Sequence, residues 1–230
     1  MTTPSLLLLL ADGRFPAGAH AHSGGLEAAV AAGRVTDLAS LEAFLAGRLA
    51  TAGLVGAAFA AAAHRAAVLA EPAARSGALT RLDAELDART AAPALRAVSR
   101  RQGRALLRAG RAIWPDAPFA DLPATPGGAH QPLVLGLLCA AAGLSRVETA
   151  TIAAYGTLTG AASAGVRLLG LDPYQVQALL VGLADACDGA AADAARAADD
   201  PPERLPAAAA PLADIHAEIH ATWEVRLFAS

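Results

Sequence analysis

Apolar and polar positions along the chain repeat with the spacing of helices. Between residues 38 and 49 apolar side chains recur every three or four positions, and Asp37 stands where it can cap the helix they begin. No segment alternates apolar and polar residues with the period of two that a half-buried strand shows. The pattern therefore predicts an all-α protein, a single-domain bundle of roughly eight to ten helices over residues 1–230.

Capping side chains, glycines and prolines mark the ends of the other predicted helices. Ser145 and Glu148 form a Ser-x-x-Glu capping box at the start of one helix. A long helix is predicted over residues 79–112, with a bend near Pro93. The remaining predictions are helices over 24–32, 132–142, 172–187 and 215–228, a main loop over 114–128, a mobile linker over 199–211 and a mobile tail over 226–230.

The composition of the chain favours helices in a soluble core. Of its 230 residues, 55% are hydrophobic and 17% are charged. Alanine, the strongest helix former, supplies most of the apolar excess. The stretch 149–166 lacks charge but carries four threonines, and the leucine run 6–10 lacks the basic residues that precede the apolar part of a secretion signal. We therefore expect a cytoplasmic protein that does not insert into a membrane.

Charge and cysteine usage argue against a general nucleic-acid-binding protein and against a disulfide-bonded one. The formal net charge is −3, and every basic side chain is arginine, which argues against general nucleic-acid binding. Cys139 and Cys187 are far apart, and neither has a CxxC partner. We expect both thiols to be reduced and buried as small apolar side chains.

The segment 12–27, rich in glycine and histidine, is the densest candidate for chemistry. His20 and His22 could share a metal ion, but structural zinc takes four protein ligands and catalytic zinc three. Ser23 beside His22 lacks the strand–turn–helix elbow of a hydrolase. The alternative is a glycine-rich turn whose serine and histidine cap the helix that follows, and the residues alone favour this alternative.

A second pair of histidines lies near the end of the chain. His216 and His220 share a helix face at i, i+4 spacing, which would suit a metal ion. In zinc proteases a glutamate follows the first histidine, and here that position is Ala217. Solvated or capping histidines are the favoured interpretation. Because no residue set completes a site, we expect no catalytic residue, no metal and no cofactor.

A row of arginines runs along the predicted long helix. Its members are spaced by four and share one helix face: Arg96, Arg100, Arg104 and Arg108. Two interpretations remain open, a solvated face and a docking surface for an acidic partner or a phosphate group.

Four segments, taken in order along the chain, resemble the UreF family of urease accessory proteins. Residues 10–27 resemble the family's leucine-rich start followed by D-S-x-L-P-x-G-x-F-x-H-S-x-G-L-E, with departures at Gly13, Phe15 and His20. The middle segments are 102–107 with 130–136, and 166–168 with Gly170 and Gln175, where Leu171 departs from the family pattern. The last is Asp214-Ile215…His220…226–230, which resembles the ending D-I…H…R-L-F-x-S.

The resemblance implies an all-helical, homodimeric scaffold without enzymatic activity. In this family it would join a UreD-type protein, also called UreH, to the nickel-carrying GTPase UreG, and deliver nickel to apo-urease. It also implies a coupling or regulating role toward the GTPase. The alternative is a helical metal-binding protein or metalloenzyme that uses the histidine pairs.

The residues expected to bind partners lie at the two ends of the chain: His22, Ser23, Gly25, Glu27, Arg226, Leu227, Phe228 and Ser230. In the last helix we expect Ile215, Ile219 and Trp223 to pack on the protein's own core. We expect residues 226–230 to contact the UreD-type partner, since aromatic and arginine side chains are common interface anchors.

Overall fold

The computed structural model describes residues 4–16 and 19–229, and within these ranges the regular structure is helical throughout. The helices are α1 Pro4–Ala11, α2 Leu26–Ala31, α3 Leu38–Arg48, α4 Leu54–Ala67, α5 Pro72–Arg89, α6 Pro93–Ile113, α7 Gln131–Ala141, α8 Arg146–Leu169, α9 Pro173–Gly182, α10 Ala184–Ala197 and α11 Pro211–Ala221. A π-helical turn, Leu49–Gly53, joins α3 to α4 in one continuous run. The all-α prediction is confirmed.

The predicted caps start the helices where the sequence places them. At α3, Asp37 Oδ1 accepts the Ser40 N–H at 2.8 Å, and Ser40 Oγ accepts the Asp37 N–H at 3.0 Å. At α8, Glu148 Oε2 accepts the Ser145 N–H at 2.6 Å in the same reciprocal arrangement. These side chains satisfy N–H groups that have no partner inside the first helical turn.

Helix α4 lies at the centre of the bundle, against α7, α8 and α10. Its residues 57–61 are fully buried. The helices approach closely because the facing residues are small. A Cβ added at Gly136 of α7 would lie 2.7 Å from the Ala63 Cβ, and closer still to the Ala60 carbonyl oxygen. Cys139 and Cys187 are buried free thiols, as predicted.

The continuous run from α3 to α4 is also the helix that most resembles a membrane span. Leu38–Ala67 has 30 residues and is apolar enough to cross a membrane by length and composition. Leu41, Leu45 and Phe59 of this run are 0% exposed and pack inside the bundle, and 44% of its most apolar window is buried.

Three predicted boundaries are wrong. The helix predicted over 79–112 is two helices, because Pro93 lacks an N–H and Ala92 before it is extended at φ −74° and ψ 120°. The helix predicted over 172–187 is divided at Leu183 between α9 and α10. The last predicted helix stops at Ala221, and residues 222–229 continue without helix.

The segment 199–211, predicted as a mobile linker, is attached to α5. Leu205 is buried, and Arg89 donates hydrogen bonds to the carbonyl oxygens of Pro202, Glu203 and Leu205. Arg81 pairs with Glu203. These contacts join the segment to the bundle over its middle part; its mobility stays a prediction.

A buried polar network joins α5, α6 and α7. Arg100 donates to Asp83 Oδ2 at 3.0 Å and to Asp87 Oδ1 at 2.8 Å, and both carboxylates keep its pKa above the ordinary value although burial lowers it. His130 is fully buried; its ring lies 3.0 Å from Ser99 Oγ and 3.1 Å from Asp87 Oδ1. Arg100 is therefore a structural residue, and the solvated-face interpretation of the arginine row fails at this position.

Gly136→Ala should lower the free energy of unfolding by about 1–3 kcal/mol, because the added methyl group meets the α4 backbone and forces the helices apart. Gly156→Ala is the matched control. An added Cβ there has no neighbour within 4 Å, so the better helix propensity of alanine should leave stability equal or slightly raised. Urea unfolding followed by circular dichroism measures both, and equal stability of the two variants would contradict the close contact of α4 and α7.

Candidate functional site

The carboxylate of Glu27 joins the two ends of the chain. Glu27 Oε1 accepts the Leu227 N–H at 2.8 Å. Glu27 Oε2 accepts the Phe228 N–H at 3.1 Å and lies 2.8 Å from His220 Nε2. We call Ser23, Glu27, His220, Leu227 and Phe228 the terminal latch.

Apart from the side chain of Leu227, the latch is buried. Ser23 is 0% exposed, Glu27 8%, and His220 and Phe228 4% each. A carboxylate buried to this degree needs hydrogen-bond donors or a counter-charge. Burial raises the pKa of Glu27, but the N–H groups of Leu227 and Phe228 and the His220 side chain outweigh it, so its pKa lies below the ordinary value. Glu27 is therefore held as a carboxylate.

The glycine-rich loop gives Glu27 its position on α2. Gly24 and Gly25 have φ values of 65° and 92°, which glycine adopts without strain. Ser23 Oγ accepts the Glu27 N–H at 3.2 Å in the first turn of α2, although the N-cap residue itself is Gly25, which has no side chain to cap the helix. The guanidinium of Arg48 donates to the Gly24 carbonyl oxygen and covers the loop, so that a Cβ at Gly24 would lie 2.7 Å from Arg48 Cζ.

Two arginine side chains, one backbone hydrogen bond and one ring contact add to the attachment of the C-terminal segment. Arg167 of α8 places its Cζ 4.7 Å from the centre of the Phe228 ring, a cation–π distance. The Ala229 N–H donates to the Ala21 carbonyl oxygen at 2.7 Å, and Arg101 donates to the Ala229 carbonyl oxygen at 3.4 Å. The Trp223 ring lies 4.8 Å from the ring of His220.

The structure brings the two predicted groups of site residues together but distributes their roles differently. Ser23, Glu27 and Phe228 are in the latch, and Gly25 provides its turn. His22 is half-buried, and burial together with the charges of Arg101 and His20 lowers its pKa to about 4. The side chains of Arg226 and Leu227 are exposed. Ser230 lies outside the described residues.

The expected division of the C-terminal helix is wrong. Ile215 and Ile219, predicted to pack on the core, are 57% and 51% exposed. Phe228, predicted to lie in a partner-binding tail, is buried at 4%. The physical reason is that α11 is fixed by polar contacts, with Glu218 Oε1 accepting the Ala94 N–H at 2.7 Å and His220 paired to Glu27. These bonds turn the isoleucines outward.

His220 is the latch residue whose partner sequence reasoning missed. Its i, i+4 spacing from His216 suggested either a metal pair or a solvated side chain, whereas its Nε2 is bonded to a carboxylate 193 residues away. Within the described residues no three His, Cys, Asp or Glu side chains cluster as metal ligands. The sequence contains one indirect signal. Glu27 stands among apolar residues at the start of a helix, and a glutamate that is buried there needs a hydrogen-bonding partner.

The bonding pattern limits what Glu27 can do chemically. Three donors occupy three of the roughly four lone-pair sites of its two oxygens, and the residue is only 8% exposed. A general base must lie within hydrogen-bond reach of a substrate proton, and burial at this position keeps a substrate away from the carboxylate. The arrangement acts as a clamp between α2 and the C-terminal segment.

Glu27→Gln should lower the free energy of unfolding by about 1–3 kcal/mol at pH 7, because the charge-assisted bonds to His220 and the tail are lost. The folded pKa of Glu27 lies below its ordinary value of 4.5, so the carboxylate's contribution is complete above pH 4.5 and disappears as pH falls through the folded pKa. The difference between wild type and variant should therefore shrink on acidification.

Chemical unfolding at a series of pH values measures this dependence, with Glu42→Gln on the exposed face of α3 as the control. A pH-independent difference for Glu27→Gln, or an equal effect of Glu42→Gln, would argue against a charged latch.

The sequence as a whole is similar to known proteins. The UreF family model matches residues 35–184. A urease accessory protein UreF from Mycobacterium sp. (strain JLS) is 46% identical over 232 aligned residues that cover 100% of both chains. One from Mycolicibacterium vanbaalenii is 44% identical over 100% of both chains, and one from Mycobacterium tuberculosis (strain H37Rv) is 45% identical over 84% of this chain and 86% of its own. The chain belongs to the UreF family of urease accessory proteins.

Proposed function

We propose that this protein is a non-enzymatic scaffold that links a UreD-type (UreH-type) protein to a UreG-type GTPase in the complex that inserts nickel into apo-urease. Family membership supports the accessory role. The partners follow from the resemblance of the loop and tail motifs. In this proposal the protein is a cytoplasmic homodimer that regulates the GTPase through the assembly and itself carries no metal or cofactor.

The observation that carries the proposal is an apolar stripe on α11. Leu212, Ile215 and Ile219 are spaced by three and four residues and are 43%, 57% and 51% exposed. Val225 and Leu227 extend the apolar surface into the tail at 87% and 66% exposed. We call these five residues the C-terminal stripe. Exposed apolar side chains grouped along one helix and the segment after it are typical of protein–protein contact sites.

The latch makes the C-terminal stripe a rigid surface. His220 lies next to Ile219 in the sequence and is fixed to Glu27, while the N–H of Leu227 is fixed to the same carboxylate. A partner that binds the stripe therefore meets a helix and tail that are already ordered, and the entropy cost of ordering them is small. We assign the stripe to the UreD-type partner.

The non-enzymatic part of the proposal rests on the latch as well. The loop that holds His22, Ser23 and Glu27 is the densest candidate for chemistry, and its carboxylate is committed to tail donors. The competing metal-binding function would need His220 as a ligand, and its Nε2 is bonded to Glu27.

Ile219→Glu should weaken capture of the UreD-type protein by at least about tenfold, because a charge would then enter an apolar contact. Its unfolding midpoint should stay near that of wild type, since the side chain is 51% exposed. Val181→Glu on α9, 76% exposed and away from the stripe, is the control. Pull-down titration with the purified partner measures capture. Full-strength capture by Ile219→Glu would exclude the stripe as the docking site.

Phe228→Ala and Leu227→Ala should separate folding from binding within the tail. Phe228 is buried and packs against Arg167, so its truncation should cost about 3–5 kcal/mol of stability and weaken capture through loss of the ordered tail. Leu227 is 66% exposed, so its truncation should weaken capture and leave stability nearly unchanged. Thermal unfolding and the same pull-down measure both. Equal stability losses would contradict the burial of Phe228.

A further inference from the structure

Ser99, His130 and Asp87 form a chain of hydrogen bonds within the polar network of α5, α6 and the start of α7. Ser99 Oγ lies 3.0 Å from His130 Nδ1, and His130 Nε2 lies 3.1 Å from Asp87 Oδ1. A serine, a histidine and a carboxylate joined in this order activate a nucleophilic serine on several unrelated folds. Such a serine is recognised by geometry rather than by its place in the sequence, and these distances meet the requirement.

The bonding partners determine where the protons of this chain lie. Burial raises the pKa of Asp87, but the bonds from Arg100 and His130 bring that pKa below its ordinary value, so Asp87 is a carboxylate and can only accept. His130 Nε2 must then carry the proton of the 3.1 Å bond. Burial and the charge of Arg100 lower the pKa of His130, which keeps its ring neutral at neutral pH. His130 Nδ1 is therefore an acceptor, and the Ser99 hydroxyl donates to it.

The serine of this chain is open to the surface, and the histidine is not. Ser99 is partly exposed and lines a groove of about 1800 Å³. His130 is fully buried. Around Ser99 the groove is lined by apolar and amide side chains of α6 and α7: Leu95, Val98, Gln102, Gln131 and Pro132. A molecule in this part of the groove therefore meets the hydroxyl among apolar side chains, while the imidazole behind it is shielded from solvent.

The start of α7 favours negative charge beside the Ser99 hydroxyl. Gln131 is the first residue of α7, and its N–H donates to Ser99 Oγ at 3.3 Å. The N–H groups of a first helical turn give that end of the helix a partial positive charge. An oxyanion that forms on a carbon bonded to Ser99 Oγ would lie close to this helix end and be stabilised by it.

We propose that Ser99 is an acyl-acceptor site, at which its hydroxyl attacks an activated ester or thioester with an apolar acyl group while His130 takes the hydroxyl proton. The bond between Oγ and the carbonyl carbon forms, and the bond from that carbon to the leaving oxygen or sulfur breaks. The proton passes from His130 to the leaving group, so the products are acyl-Ser99 and an alcohol or a thiol. Asp87 is a positioning residue that orients the imidazole and stabilises its cation. The inference goes beyond the proposed function, since one acylation modifies the scaffold and requires no turnover.

The full chain with p-nitrophenyl butyrate, an activated ester with a short apolar acyl group, tests the site. The chain has no lysine that would consume the ester, and both cysteines are buried. Wild type should release about one p-nitrophenolate per chain in a burst, and mass spectrometry should find the butyryl group on Ser99. Ser99→Ala should abolish the burst. Ser76→Ala is the matched control, because Ser76 is partly exposed on α5 and lies outside the groove.

Two further variants separate the proposed chemistry from a purely structural role of the network. His130→Gln should slow the burst at least about a hundredfold, because the general base is lost. Asp87→Asn should also slow it, since an amide in this place can donate to the imidazole and favour the wrong tautomer. The burst rate is measured below the unfolding midpoint of each variant, so it reports on folded protein. Where a variant does not fold, the comparison of wild type with Ser99→Ala and the position of the butyryl group decide.

Three outcomes would overturn the inference: no burst from wild type, an equal burst from Ser99→Ala, or a full burst rate in folded His130→Gln. Continued release of p-nitrophenolate that needs Ser99 would support the acyl-serine and contradict the non-enzymatic part of the proposed function. The Ile219→Glu test of partner docking is independent of all these results, so the two proposals can fail separately.

Discussion

The backbone of α7 lies directly against that of α4 because Gly136 has no side chain and Ala60 and Ala63 have small ones. A glycine also allows close packing between α3 and α8, where the side chain of Leu41 fills the space next to Gly165. Close approach of this kind gives many dispersion contacts with few large side chains. It also makes the bundle sensitive to added volume, since one methyl group at a contact has no room. The alanine-rich composition is therefore a packing requirement as well as a helix preference.

Contacts between alanine- and glycine-rich helices fix the distance between the helix axes, but they allow one helix to slide along the other. Two buried polar groups supply the missing specificity. Asp83, Arg100 and His130 fix α5, α6 and α7 relative to one another, and Glu27 fixes α2 relative to the C-terminal segment. A buried charge tolerates few alternative arrangements, because each wrong one leaves it without its donors. The candidate site is one of these two polar groups, so the residues that order the chain ends also shape the proposed partner surface.

Signals within a few residues of sequence predicted where the helices are. They could not predict hydrogen bonds between residues far apart in the chain. The capping boxes at Asp37 and Ser145 act within four residues, and both helix starts were predicted from them. Pro93 was recognised as a disturbance, but only the extended Ala92 decides that it separates two helices. The pair of Glu27 and His220 has no periodicity or spacing that could reveal it. Glu27 was predicted as a site residue from the resemblance of its loop, but His220 was not. The burial of Phe228 and the exposure of Ile215 and Ile219 also differ from the prediction.

The latch also ties the shape of the molecule to the completion of its synthesis. The three groups that bond to the Glu27 carboxylate lie 193, 200 and 201 residues further along the chain. On the ribosome, α2 emerges early with its carboxylate solvated, and the bundle around α4 can form before the last residues are translated. The bonds of Glu27 to the backbone of Leu227 and Phe228 can form only after α11 has been synthesised. A chain that lacks the residues after α11 keeps the bundle around α4 but leaves the Glu27 carboxylate without its two backbone donors, so the buried charge loses most of its compensation.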